Sequence, residues 1–207
     1  MAVRSPAVSR ARDVWMALSF ALGSMCFLAG PLPGYLNLVG GTAAAVTFFV
    51  GSLLFTTGGA LQTWAAAGER HEPGAGRAAW LAAVVQLAGT LYFNVSTFRA
   101  LQIALSDAAY DRQVWRPDLF GSVCFLVSGV IAYRASARHG WLPARSASRW
   151  WQPAVNLLGC VFFGISAVAG YVLPSSGSMV NETIANLNTC AGAACFLACA
   201  LGTLPRR

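Results

Sequence analysis

Apolar residues along the chain fall into six long blocks, and the short stretches between them carry nearly all of the charge, the prolines and the tryptophans. Blocks of about 20 apolar residues are long enough to cross a bilayer as helices. They predict six spans, roughly Val14–Leu32, Gly41–Trp64, Ala79–Leu101, Phe120–Tyr133 with its flanks, Pro153–Leu173 and Ile184–Leu204. The expected fold is therefore all-α, a single membrane-embedded bundle over residues 1–207. Residues 1–13 form a tail, 14–204 the six helices and 205–207 a short end. No proline interrupts a block, and Pro117 and Pro153 stand where a proline opens a helix. The seven tryptophans lie at or near span ends, as in an interfacial belt.

Within every block the same short pattern recurs: Gly, three residues, Phe, two residues, then a small residue. The pairs are Gly23 and Phe27, Gly51 and Phe55, Gly89 and Phe93, Gly121 and Phe125, Gly159 and Phe163, and Gly192 and Phe196. The small residues are Gly30, Gly58, Ser96, Ser128, Ser166 and Cys199. Residues seven apart lie within about 20° of each other around a helix. Each block thus presents a groove that admits a neighbouring backbone, the usual contact between helices in lipid. The Phe shares that face and is placed to fill the gap beside another helix's Gly. The pattern divides into two classes. Spans 1, 4 and 6 read Cys-Phe-Leu (Cys26–Leu28, Cys124–Leu126, Cys195–Leu197); spans 2, 3 and 5 have a bulky residue before the Phe (Leu54, Tyr92, Phe162). Two duplications fit this order, an inverted three-helix repeat and a triplicated hairpin.

The "GSMCFL" and "GSVCFL" segments, the "LNLVG" and "VNLLG" helix starts and "LAGTLYFNVSTFRALQ" at 87–102 resemble small bacterial membrane proteins with YrhK-like segments. The resemblance implies a multi-pass fold in the bacterial inner membrane and brings no catalytic residue with it.

Composition sharpens the picture. Of 207 residues 57% are hydrophobic and 10% charged, against roughly 25% charged in soluble domains. All 14 basic residues are arginine, and they are scattered between the blocks rather than clustered on one face, which argues against nucleic acid. Eleven of them fall on one side of the six-span topology, in the N-terminal tail, the second and fourth connections and the C-terminus. Three, Arg99, Arg112 and Arg116, fall on the other. By the positive-inside rule both termini are cytoplasmic. An uncleaved first span is preferred to a signal peptide, since its apolar stretch is long and no small-x-small cleavage site is evident.

Candidate chemistry is sparse. Gln86, Thr90, Asn94 and Thr97 form a polar stripe down span 3, echoed on span 2 by Ser52, Thr56, Gly59 and Thr63. Polar groups at membrane depth face protein or water, so the stripe is either interhelical hydrogen bonding or a ligand or solute path walled by spans 2 and 3, with Thr56 and Arg99 among its candidate residues. Arg99 is expected to snorkel or to pair with Asp107, Asp111 or Asp118. No carboxylate or histidine lies within a span. Cys195 and Cys199 are four apart, but His71 and His139 fall in connections, so no metal site and no cofactor are expected. The loop "GERHEPGAGR" follows no strand and has no lysine, unlike a phosphate loop. The expected function is a non-enzymatic structural or accessory membrane component; the alternative is a transporter or channel for a small neutral or weakly polar solute that uses the polar stripe on spans 2 and 3. The expected partners are the lipid bilayer and another membrane protein or a second copy of the chain. A reporter fused after His139 should read cytoplasmic and one after Ser178 external; the reverse pattern overturns the orientation drawn from the arginines.

Overall fold

A computed structural model describes residues 6–68, 70–71, 74–102, 107–137 and 150–204. Among these residues six helices are long and apolar enough to cross a membrane, the architecture of a multi-pass membrane protein. The elements run α1 (Pro6–Ala29), a short α2 (Tyr35–Val39), α3 (Gly41–Ala66), α4 (Ala75–Ala100) and a short α5 (Asp107–Tyr110). A π-helical turn (Asp111–Trp115) leads into α6 (Arg116–Ser136), then α7 (Gln152–Ala169), strands β1 (Val172–Leu173) and β2 (Ser178–Met179), and α8 (Glu182–Thr203). The long helices pack in sequence order, α1 on α3, α3 on α4, α4 on α6, α6 on α7 and α7 on α8. Contact of α8 with α1 closes the ring.

Several boundaries differ from those expected, each for a local reason. The first helix starts at Pro6, so most of the expected tail is helical, and Trp15 sits two turns inside it. Its start is polar enough to be wetted, with Arg12 donating to Asp13 at 2.7 Å. It ends at Ala29, since Pro31 and Pro33 follow and Gly34 and Gly40 take positive φ around α2. The fifth span stops at Ala169 rather than Leu173, because Val172 and Leu173 pair with Met179 and Ser178 in an antiparallel hairpin. This hairpin is the one departure from an all-α chain among the described residues, and Gly177 supplies its positive φ. Beyond Gln102 the connection becomes helical at Asp107 and runs on into α6. There Trp115 Nε1 donates to the Ala167 carbonyl at 2.8 Å, tying the connection to α7. Residues 103–106 of this connection lie outside the described residues, as does the short end at 205–207.

The exterior of the bundle is apolar, unlike that of a soluble protein. Large apolar side chains such as Leu22, Val50, Leu91, Val123, Val161 and Leu201 are exposed, one on each long helix. Such a continuous apolar exterior suits lipid. The interior is built from phenylalanine and small residues. Phe27, Phe55, Phe93, Phe125, Phe163 and Phe196 converge on the axis and are only 2–6% exposed.

Two sets of three rings organise this centre. Phe27, Phe93 and Phe163, from α1, α4 and α7, lie 5.9 to 6.4 Å apart between ring centroids. Phe55, Phe125 and Phe196, from α3, α6 and α8, lie 5.7 to 6.3 Å apart. The sets meet within each successive helix pair, at 5.6 Å (Phe27–Phe55), 5.0 Å (Phe93–Phe125) and 5.4 Å (Phe163–Phe196). All three distances are in the range where edge-to-face or offset rings attract.

Glycines make this convergence possible by exchange. In α1 and α3, Gly23 faces the Phe55 ring and Gly51 faces Phe27; a Cβ at either would lie about 3 Å from the ring. In α4 and α6, Gly89 faces Phe125 and Gly121 faces Phe93. In α7 and α8, Gly159 faces Phe196 and Gly192 faces Phe163. The residue after each glycine is small and almost wholly buried: Ser24, Ser52, Thr90, Ser122, Cys160 and Ala193. Two of these reach the adjoining pair, Ser52 to Thr97 at 2.9 Å and Ser122 to the Phe163 carbonyl at 3.4 Å.

Position therefore decides what a methyl group does. Gly192→Ala would place Cβ 2.4 Å from the Phe163 ring, and should lower stability in detergent by about 1–3 kcal/mol. A Cβ added at Gly164, also within α7, would meet nothing within 4 Å. Gly164→Ala should be neutral or stabilise by up to about 1 kcal/mol through helix propensity. Thermal unfolding of both variants checks the contrast, and equal losses would refute it.

Candidate functional site

The polar stripe of α4 divides between two roles. Its C-terminal part is spent on α3: Asn94 Nδ2 donates to Thr56 Oγ1 at 2.9 Å, and Thr97 Oγ1 lies 2.9 Å from Ser52 Oγ. Thr90 is fully buried and donates to the Leu87 carbonyl of its own helix at 2.7 Å. The two stripes thus meet each other directly, and Gly59 of α3 packs on Leu87 of α4. Arg99, at the end of α4, donates to Gln102 Oε1 at 3.4 Å. Asn94 Oδ1 is buried without a partner, so the contact between the stripes leaves one acceptor unpaired.

Gln86, the first member of the stripe, has a different setting. It lines a partly open cavity of about 200 Å³ to which all six long helices contribute. The walls come from the N-terminal halves of α1, α4 and α7 and the C-terminal halves of α3, α6 and α8. The cavity therefore sits at the end of the bundle where α1 begins and α8 finishes. Arg12, Arg77 and Arg134, three of the arginines expected in the cytoplasm, lie on helix ends at that same side. Phe55 and Phe196 form its floor and Phe20 one wall, so it stops at the phenylalanine cluster.

The cavity's register repeats that of the rings. Two turns from each central Phe, toward the same end, stand Phe20, Gln62, Gln86, Ala132, Asn156 and Thr203, and all six line the space. Carboxamides occupy the positions on α3, α4 and α7, the helices in which a bulky residue precedes the Phe. Sequence reasoning singled out Gln86 alone. Asn156 stands alone in an apolar stretch, Gln62 precedes Thr63 and Gln152 lies just ahead of the fifth block; an offset of seven from a central Phe, or position at a helix start, is the signal that links them.

Their hydrogen bonding is incomplete. Gln62 Oε1 is buried with no partner. Gln86 Oε1 receives a long contact from Ser128 Oγ at 3.4 Å, while the same hydroxyl donates to the Ala82 carbonyl at 2.8 Å. Asn156 Nδ2 reaches only Cys160 Sγ, at 4.0 Å. Gln152 is better satisfied: its Nε2 donates to the Cys199 carbonyl at 3.1 Å, and Cys199 Sγ donates to the Gln152 carbonyl at 3.5 Å. Among the described residues no carboxylate, guanidinium or imidazole lines the space. Among them, too, no group of three or more His, Cys, Asp or Glu side chains comes together as metal ligands would. At the opposite end of the bundle, burial together with nearby Asp118 and Asp111 pushes the Tyr110 phenol up to about 12, so it stays protonated at neutral pH.

Comparison with family models, with curated proteins and with solved structures gives no match. Function is therefore to be read from the chain's own geometry.

If Asn94 and Thr56 act as interhelical contact, Asn94→Leu and Thr56→Val should each lower the melting temperature. A double-mutant cycle should return about 0.6–2 kcal/mol of coupling. Zero coupling would remove the pair from the account of bundle stability.

Proposed function

We propose that the chain is a non-enzymatic multi-pass membrane component, with both termini cytoplasmic, whose six spans form three glycine–phenylalanine hairpins around a closed axis. The central observation is the six-ring cluster: its members are almost fully buried and in mutual contact, so no continuous path runs from the cavity to the far side. The triplicated-hairpin reading draws support from the exchange of each Gly for its partner's Phe within α1–α3, α4–α6 and α7–α8. The proposed setting is a bacterial inner membrane, with YrhK-like proteins as the proposed kin.

One observation favours a second reading. A polar cavity that is reachable from one end and sealed by aromatic rings has the form of a carrier resting in a one-sided state. Reconstitution separates the two. Proteoliposomes holding the wild-type chain should pass glycerol no faster than empty liposomes, measured by stopped-flow light scattering. The triple variant Phe55→Ala, Phe125→Ala, Phe196→Ala removes the cavity floor and should raise that leak. Saturable glycerol flux through the wild-type chain would instead establish transport and displace the structural reading.

A further inference from the structure

The cavity at the end where α1 begins has properties that a simple packing defect lacks. Packing voids in helical bundles are small and apolar. The space among Phe27, Ser52, Phe55, Phe93, Phe125 and Phe163 is of that kind, at about 10 Å³. The larger space has about 200 Å³, and three of its carboxamides keep unused or weakly used hydrogen-bonding capacity. Leaving a buried polar group unpaired is costly. Leucine at positions 62, 86 and 156 would have avoided that cost, and a bound molecule that completes these groups would offset it.

We propose that this cavity is a binding site for a small, neutral, planar molecule carrying a hydrogen-bond donor and an acceptor on one edge, an aromatic amide or lactam being the simplest class.

Three features set the ligand's chemistry. Size comes first: an apolar cavity of about 150 Å³ accommodates benzene, so about 200 Å³ admits a six-membered ring with one polar substituent. Charge comes second. Among the described residues the lining has no ionised side chain to pair with an ion, and an isolated charge in such a site is strongly disfavoured. The third feature is edge chemistry. The carboxamide of Gln62 lines the space, its Oε1 is buried without a partner and is presented to the cavity by rotation of the amide group, and the amide nitrogen of Asn156 donates only to the distant Cys160 sulfur. A carboxamide is itself donor and acceptor, and another amide edge meets it with two parallel hydrogen bonds. The rings of Phe20, Phe55 and Phe196 then offer faces and edges to an aromatic body. Access is from the end that the arginine distribution assigns to the cytoplasm.

The proposal rests on the membrane-bundle reading and goes beyond it by giving the bundle a ligand. Isothermal titration of the purified full chain in mild detergent tests it with four probes of similar shape: benzamide, benzoate, benzamidinium and toluene. Benzamide should bind saturably at one site per chain, and the other three at least tenfold more weakly. Gln62→Leu and Gln86→Leu should each weaken benzamide at least tenfold, and Ala132→Phe, which fills the cavity, should abolish its binding. A folded chain that binds no benzamide holds only water there and overturns the proposal. Equal affinity for benzoate, benzamidinium or toluene overturns it too, as does unchanged affinity in Gln62→Leu. The wild-type probe series decides the matter even where a variant fails to fold. Loss of helical circular dichroism in detergent would indict the membrane-bundle reading itself, whereas a helical chain that binds none of the probes rejects the ligand alone.

Discussion

The rest of the structure depends on one exchange, in which a glycine of each helix makes room for the phenylalanine of its hairpin partner. In lipid, apolar side chains gain little by leaving their surroundings, so helix association relies on close packing and hydrogen bonds. A glycine removes the one atom that would hold the partner's ring away. Where this happens reciprocally, as between Gly89 and Phe125 and between Gly121 and Phe93, both rings are carried inward. Three such exchanges around a ring bring six rings to one place, and their contacts then restrain every helix at once.

Polar residues have a secondary but ordered part. The serine or threonine after a motif glycine is buried where a helix meets its own partner or the adjoining pair, and it satisfies its hydroxyl on a nearby carbonyl or on another hydroxyl. These short side chains fit the narrow spacing that the glycines create. The carboxamides are longer and stand two turns away, where the ring of helices is not filled by phenylalanine. Polar content is thus sorted by depth: the hydroxyls after the motif glycines, and Asn94 with Thr56, lie in the seams, whereas Gln62, Gln86 and Asn156 line the space that the rings leave open.

That sorting links stability to function. The phenylalanine cluster closes the axis, and by closing it creates a floor; the same rings that hold the helices together define the depth of the cavity. A role needing a through-path would have to move these rings, and with them the exchange that holds the hairpins. A role needing only a receptive pocket at one end asks for no such movement.

The sequence by itself determined the six spans, their order and the recurrence of Gly and Phe, because span length and seven-residue spacing are local properties of the chain. It also showed the stripe from Gln86 to Thr97, since four polar residues at helical spacing stand out against an apolar background. It could not show that Asn94 and Thr97 would meet Thr56 and Ser52 while Gln86 would face open space. That outcome depends on how far α4 lies from α3 at each depth. Nor did it reveal Gln62 and Asn156 as neighbours of Gln86, because helices running in opposite directions place them at +7 and −7 from their rings. Only the closed ring of helices brings those offsets to one level. The short strand pair beyond α7 was equally hidden, since two residues per strand carry no periodicity, and their pairing is set by the turn at Gly177.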